Sequence, residues 1–213
     1  MAEKLRKHKS TALIMAGGLF LAVAALLTLS ELVPLPDFAS AATDTVTVTA
    51  TVQSWMTFDV NPNAVTLSPD LVNTSGSPGI GSSTNITLQL GTNSSGGWNV
   101  TIEGLRGGLA TSTYMILSVA TGTVASTTLT AGTDGYGAHA TSTLAGVTVD
   151  PRYNKWTTVT VAAISSTTIQ TLATKTSANS STTVATVKVF AAATGTAPSA
   201  TYQDTITFTA TSQ

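Results

Sequence analysis

From Thr43 to Val52 the chain reads TDTVTVTATV, Thr at every second position alternating with Asp44 and then with Val or Ala. A period of two puts the apolar side chains along one side of an extended backbone and the polar ones along the other, the pattern of a β-strand. Short segments of the same kind recur. Ser54 to Val60 follows at once, and Asn61-Pro62-Asn63 turns the chain into Ala64 to Leu67. Leu71 to Ser83, rich in Ser, Gly and Pro, reads as loop. Thr84 to Leu90 sets Ile86, Leu88 and Leu90 on one face, and Trp98, Val100 and Ile102 repeat the pattern beyond Thr92 to Gly97. The glycines between them suit a reversal, so these two segments are expected to pair as a hairpin.

Further strands are expected over Tyr114 to Ala120, Ser126 to Thr130, Leu144 to Val149, Thr157 to Ile164, Thr182 to Ala192 and Tyr202 to Thr211, with Gly132 to Gly137 as loop. Ser and Thr make up roughly a third of the residues, and Thr suits a pleated face because of its branched Cβ. No window sustains a helical period. The expected fold is all-β: a single antiparallel β-sandwich, jelly-roll or immunoglobulin-like.

A leader precedes it. Lys4, Arg6, Lys7 and Lys9 form a basic start, Leu13 to Leu29 is apolar, and Ala39-Ser40-Ala41 offers the small residues at which a signal peptidase cuts. Residues 1–41 are therefore expected to be a signal peptide, the alternative being an uncleaved N-terminal anchor, which would be the chain's only link to a membrane. Residues 42–53 then form an N-terminal strand free at one end, and residues 54–213 the sandwich. Either reading places the domain outside the cytoplasm, secreted or at the cell surface.

Composition excludes several function classes. Charged residues are 9% of the chain and the net charge is −1, with no basic run beyond the leader, which argues against a nucleic-acid partner. There is no Cys, which fits a prokaryotic exported domain. One His, His139, lies beyond the leader, too little for a nitrogen- or sulfur-rich metal site.

Nucleophilic catalysis needs a base beside its nucleophile. His139 stands without a Gly-x-Ser-x-Gly elbow and is expected in an exposed loop. Asp44, Asp59, Asp70, Glu103, Asp134, Asp150 and Asp204 are scattered singly, against the paired carboxylates of a glycosidase. No enzyme activity and no cofactor are expected. A structural Ca²⁺ held by Asp59, Asn61 and Asp70 is the one metal the residue types allow. Trp98, Tyr136, Tyr153 and Trp156 could line a sugar-binding face, and Tyr153 and Trp156 are the candidate glycan contacts because they share the polar stretch DPRYNKW; the plainer reading makes Trp98 core and the others covers for loop edges. Asn-x-Ser/Thr occurs at Asn73, Asn85, Asn93, Asn99 and Asn179, candidate N-glycosylation sites on an exported chain.

Asn93 to Ile102 (NSSGGWNVTI), Gly132 to Gly137 (GTDGYG) and Ala200 to Ala210 (ATYQDTITFTA) together resemble secreted prokaryotic β-sandwich surface proteins, a group that includes spore-coat-U-like fimbrial proteins, WxL-type surface domains and TasA-like matrix-fibre subunits. The nearest likeness is the closing Tyr-x-Asp-Thr-Ile-Thr, here Tyr202, Asp204, Thr205, Ile206 and Thr207. The chain has neither a Trp-x-Leu motif nor paired cysteines. The resemblance implies a structural role in a surface filament, matrix fibre or coat, with subunits donating a terminal strand to a neighbour's sheet. Thr43 to Val52 suits such a donor, with Val46, Val48, Ala50 and Val52 as the inserting row; alternatively it is the first strand of its own sandwich. The partner would be further copies of the chain. The second functional expectation is a carbohydrate-binding or adhesive module with surface glycans as partner.

Overall fold

The computed structural model describes residues 46–72, 75–119, 126–156 and 158–213. The expected signal peptide, the start of the Thr43–Val52 segment and Asn73 lie outside them. Residues up to Thr51 and residues from Val52 onward form separate units; in the first, residues 46–51 carry no regular secondary structure and are exposed.

The second unit is all-β, with no helix among its described residues. Its strands are β1 (Met56–Asn61), β2 (Ile80–Ser82), β3 (Ile86–Thr92), β4 (Trp98–Gly104), β5 (Gly108–Ala110), β6 (Met115–Leu117), β7 (Ser126–Thr128), β8 (Gly135–Thr141), β9 (Val147–Val149), β10 (Thr160–Ala162), β11 (Gln170–Lys175), β12 (Asn179–Ala192) and β13 (Ile206–Ser212). A seven-stranded sheet runs β1-β3-β12-β8-β10-β7, with β2 also on β12, and faces a four-stranded sheet in the order β13-β4-β11-β9. All strand pairs are antiparallel. The expected β-sandwich is thus the fold.

The core lies where the inward rows of the two sheets meet. Ile86, Leu88 and Leu90 of β3 and Val187, Val189 and Ala191 of β12 pack there against Trp98, Val100 and Ile102 of β4 and Leu172 of β11. Trp98 is wholly enclosed and its indole N–H donates to Asn179 Oδ1 at 2.7 Å, so the polar end of a large ring is satisfied on burial. Phe190 and Ala192, one residue out of phase on β12, belong to a second, smaller cluster with Val119, Leu129, Val161 and Ala163. The seven-stranded sheet therefore buries both faces, and the period-two signal fades along its central strands.

Three sequence expectations change here. Ile86–Leu90 and Trp98–Ile102 do not form a hairpin: β3 and β4 belong to different sheets. Alternation says which side chains go inward, and both rows do point at the same core, but it cannot say from which sheet. The crossing depends on Gly97, at φ 83°, where a Cβ would lie 1.8 Å from the Lys175 carbonyl oxygen. The end of the expected loop Gly132 to Gly137 is instead the start of β8. Gly137 lets β8 lie close to β10, since a Cβ there would meet the Ala162 carbonyl oxygen at 2.4 Å. Finally, the end of the expected loop Leu71 to Ser83 is strand β2, paired with β12. β11, for which the sequence raised no expectation, lacks an alternating signal because its register shifts between Thr171 and Ala173, leaving neighbours Leu172 and Ala173 both buried.

Candidate assembly flank

The two flanks of the sandwich are finished differently. On one side the loop from Asp150 to Trp156 joins β9 to the segment leading into β10 and closes the core. Tyr153 is fully buried there; its hydroxyl donates to the Ala163 carbonyl at 2.6 Å, and its own carbonyl accepts from Ala140 N–H at 2.7 Å. The Arg152 guanidinium binds Asp150 at 2.8 Å and sits 5.8 Å from the centre of the Tyr153 ring. That pairing holds the Asp150 carboxyl below its ordinary range, and burial pushes the Tyr153 hydroxyl well above its own. The edge strands on this side, β7 and β9, have three residues each, a common way of blunting an edge.

On the other side, β1 and β13 are the edge strands of their sheets among the described residues, and they approach one another across the sandwich. Their inward rows, Met56, Phe58 and Val60 on β1 and Ile206, Phe208 and Ala210 on β13, touch the core yet stay half-exposed. These strands are six and seven residues long, without Pro or Lys, and each offers an unpaired row of backbone donors and acceptors among the described residues. Long, unblocked edges are what soluble β-proteins ordinarily avoid.

The chain reaches β1 through a fixed entry. Asn93 accepts from Trp55 N–H at 2.8 Å through Oδ1 and donates through Nδ2 to the Gln53 carbonyl at 2.7 Å, while the Thr92 hydroxyl donates to the Trp55 carbonyl at 3.0 Å. Immediately before this tether, Val46, Val48 and Val52 are 86%, 87% and 85% exposed, and Ala50 is exposed with them. Burying apolar side chains of this size is favourable by about 1.5–3 kcal/mol each, so leaving the row in water is a standing cost.

The other candidate residues are placed as follows. Tyr153 is a core plug, not a glycan contact; the polar residues around it brace the loop while its ring turns inward. Trp156 is half-buried, its ring tilted over His139 at 4.7 Å. His139 is not an exposed loop residue. It lies on β8, 2% exposed, between Trp156 and Phe190 at 4.6 Å, and among the described residues neither ring nitrogen has a partner that meets hydrogen-bond geometry. Asp59 and Asp70 are exposed, and among the described residues no three acidic or His side chains converge as a metal site. Asp134 accepts from the Tyr114 hydroxyl at 2.5 Å and Thr194 N–H at 2.8 Å. Asp204, raised mainly by burial, accepts from Arg106 N–H at 3.1 Å and Thr205 N–H at 2.9 Å. These carboxylates anchor loops.

The Asn-x-Ser/Thr residues also divide. The amides of Asn93 and Asn179 are committed to backbone carbonyls, and Asn99 Oδ1 is buried without a partner among the described residues, whereas Asn85 is exposed just before β3.

His139 makes stability depend on pH. Burial lowers its pKa from 6.5, with the nearby Lys188 charge adding to the shift and backbone groups of Lys155, Thr158 and Thr160 opposing it. The unfolded chain therefore binds a proton more readily, and stability is full above the unfolded pKa and falls as pH drops below 6.5. Asp204 titrates with the opposite sign, so the contrast to measure is wild type against His139→Leu. Chemical denaturation from pH 7.5 to 5 should show the wild type losing up to about 1.4 kcal/mol per pH unit more than the variant until the folded-state pKa is reached.

The chain matches no protein-family model, no curated protein and no solved structure.

Proposed function

We propose that this chain is an exported structural protein whose copies polymerise at the cell surface into a filament, fibre or coat by strand donation. Residues 46–52 of one copy add to the unsealed flank of the next, with Val46, Val48, Ala50 and Val52 as the inserting row. The observation that carries the reading is the coexistence of this exposed apolar row with an edge pair, β1 and β13, whose inward side chains are only half covered. Backbone hydrogen bonds to a donated strand would supply continuity, and alternate side chains would complete the core. The basic, apolar and small-residue zones of the leader support export. The single histidine beyond the leader, enclosed between aromatic rings, and the separately engaged carboxylates favour an architectural over a catalytic role.

Negative-stain microscopy of the purified exported chain tests this directly. Uniform filaments are the expected result, and dispersed single particles at high protein concentration would overturn it.

A further inference from the structure

Exposed apolar side chains stand at both ends of the sandwich, Trp55 at the entry end and Leu105, Leu117 and Ile169 at the far end. At the entry end, Met56 pairs with Thr92, and Trp98, Ser212 and the turn at Ser94–Gly97 lie beside them. At the far end, Leu105 follows β4 and donates its N–H to the Thr205 carbonyl at 2.8 Å. Leu117 there sits opposite Gly108, and Ile169 precedes Gln170, the partner of Ile102. Leu105, Leu117 and Ile169 are all exposed.

We propose that copies stack head to tail, with the donated strand antiparallel to β13 and the far end, at Leu105, Leu117 and Ile169, seated on the entry end of the next copy. This rests on strand donation as read above. β1 runs from the entry end to the far end and β13 runs back, so a strand between them is antiparallel to one and parallel to the other. Antiparallel to β13, it leaves the acceptor at the far end. Antiparallel to β1, it leaves at the entry end, bringing two entry ends together in a pair that can close on itself instead of growing.

Length and chemistry favour the first arrangement. Val46 to Val52 and Ile206 to Ser212 have the same number of residues, about 20 Å from first to last Cα at strand rise, so the donor row can match Ile206, Phe208 and Ala210 throughout. Only Gln53, Ser54 and Trp55 separate the donor from β1, a reach of about 14 Å. The donor's own domain must then press against the end of the acceptor from which the strand emerges, and the far end is the one that carries three large exposed aliphatic side chains. The partner that fits them is a second copy of this chain, bringing Trp55 and the Ser94–Gly97 turn.

Because the chain has no Cys, introduced cysteines report without background. Full-length chains carrying Ser95→Cys, Ile169→Cys or both are oxidised mildly under assembly conditions and run on a non-reducing gel. The double variant should give a ladder of covalent multimers, and each single variant should stay monomeric. Dimers from Ser95→Cys alone would overturn the proposal in favour of entry-end pairing. Filaments without a ladder would overturn it too while leaving strand donation standing, and an unmodified chain that forms no filaments would remove both. Leu105→Gln/Leu117→Gln/Ile169→Gln, changed at exposed positions that leave the fold intact, should raise the critical concentration about tenfold or more; an unchanged value would also overturn the proposal.

Discussion

Removing Thr43 to Val52 should leave a folded, monomeric protein that no longer assembles. Residues 46–51 take part in no strand, and Val52 is almost fully exposed, so the shortened chain gives up little of the domain's own packing. The Asn93 tether to Gln53 and Trp55 stays in place. Thermal melting of the shortened chain should fall within about 2 °C of the unassembled full-length protein, since exposed apolar residues contribute little to monomer stability. Sedimentation should show a single small species where the full chain forms large assemblies. Val48→Asp makes the same point with one residue. A carboxylate in the middle of the inserting row would have to be buried unpaired, and the critical concentration should rise by about a hundredfold or more. Assembly that survives both changes would exclude the segment as donor.

Trp98→Ala should be among the most damaging single substitutions in the domain, at about 3–5 kcal/mol. The ring lies at the corner where the chain crosses from one sheet to the other and is fully enclosed. Its loss opens a cavity between the sheets and leaves Asn179 Oδ1 without its donor. Asn179 also donates to the Leu90 and Ser180 carbonyls, so the disturbance reaches the start of β12. Urea denaturation should show a lower midpoint with little change in slope. Trp98→Phe, which keeps most of the volume and loses the indole N–H, should cost less than half as much, separating the packing contribution from the hydrogen bond.

The inward rows were legible in the sequence wherever one strand face met the core and the other met solvent. Ile86, Leu88 and Leu90, then Trp98, Val100 and Ile102, are buried as their alternation requires. The signal failed where that condition fails. β8 has six buried residues in succession and many small ones, so its start, Gly135 to Gly137, reads as the end of a loop although it lies inside the larger sheet. His139 reads as an exposed loop residue for the same reason, since nothing local announces that Trp156 and Phe190 arrive from distant parts of the chain to enclose it. Tyr153 sits among polar neighbours that read as solvent-facing, yet Asp150 and Arg152 bind each other and leave the ring to fill the core. The exposed row at residues 46–52 and the unsealed flank stood on unequal footing. Alternation predicts a strand there, but residues 46–51 form none and only the exposure of their side chains is observed, whereas the flank appeared once the order of strands in both sheets was known.

The pairing of β13 with β4 has a mechanical side. Seven consecutive residues of β13, Ile206 to Ser212, are matched one to one with Gly104 to Trp98 without a bulge. Tension along the strand direction would meet all of these rungs together and strain them in shear, whereas a pull across the sheet would open them one after another. A tether fixed to this edge and loaded lengthwise is therefore held in the strongest direction the sheet offers.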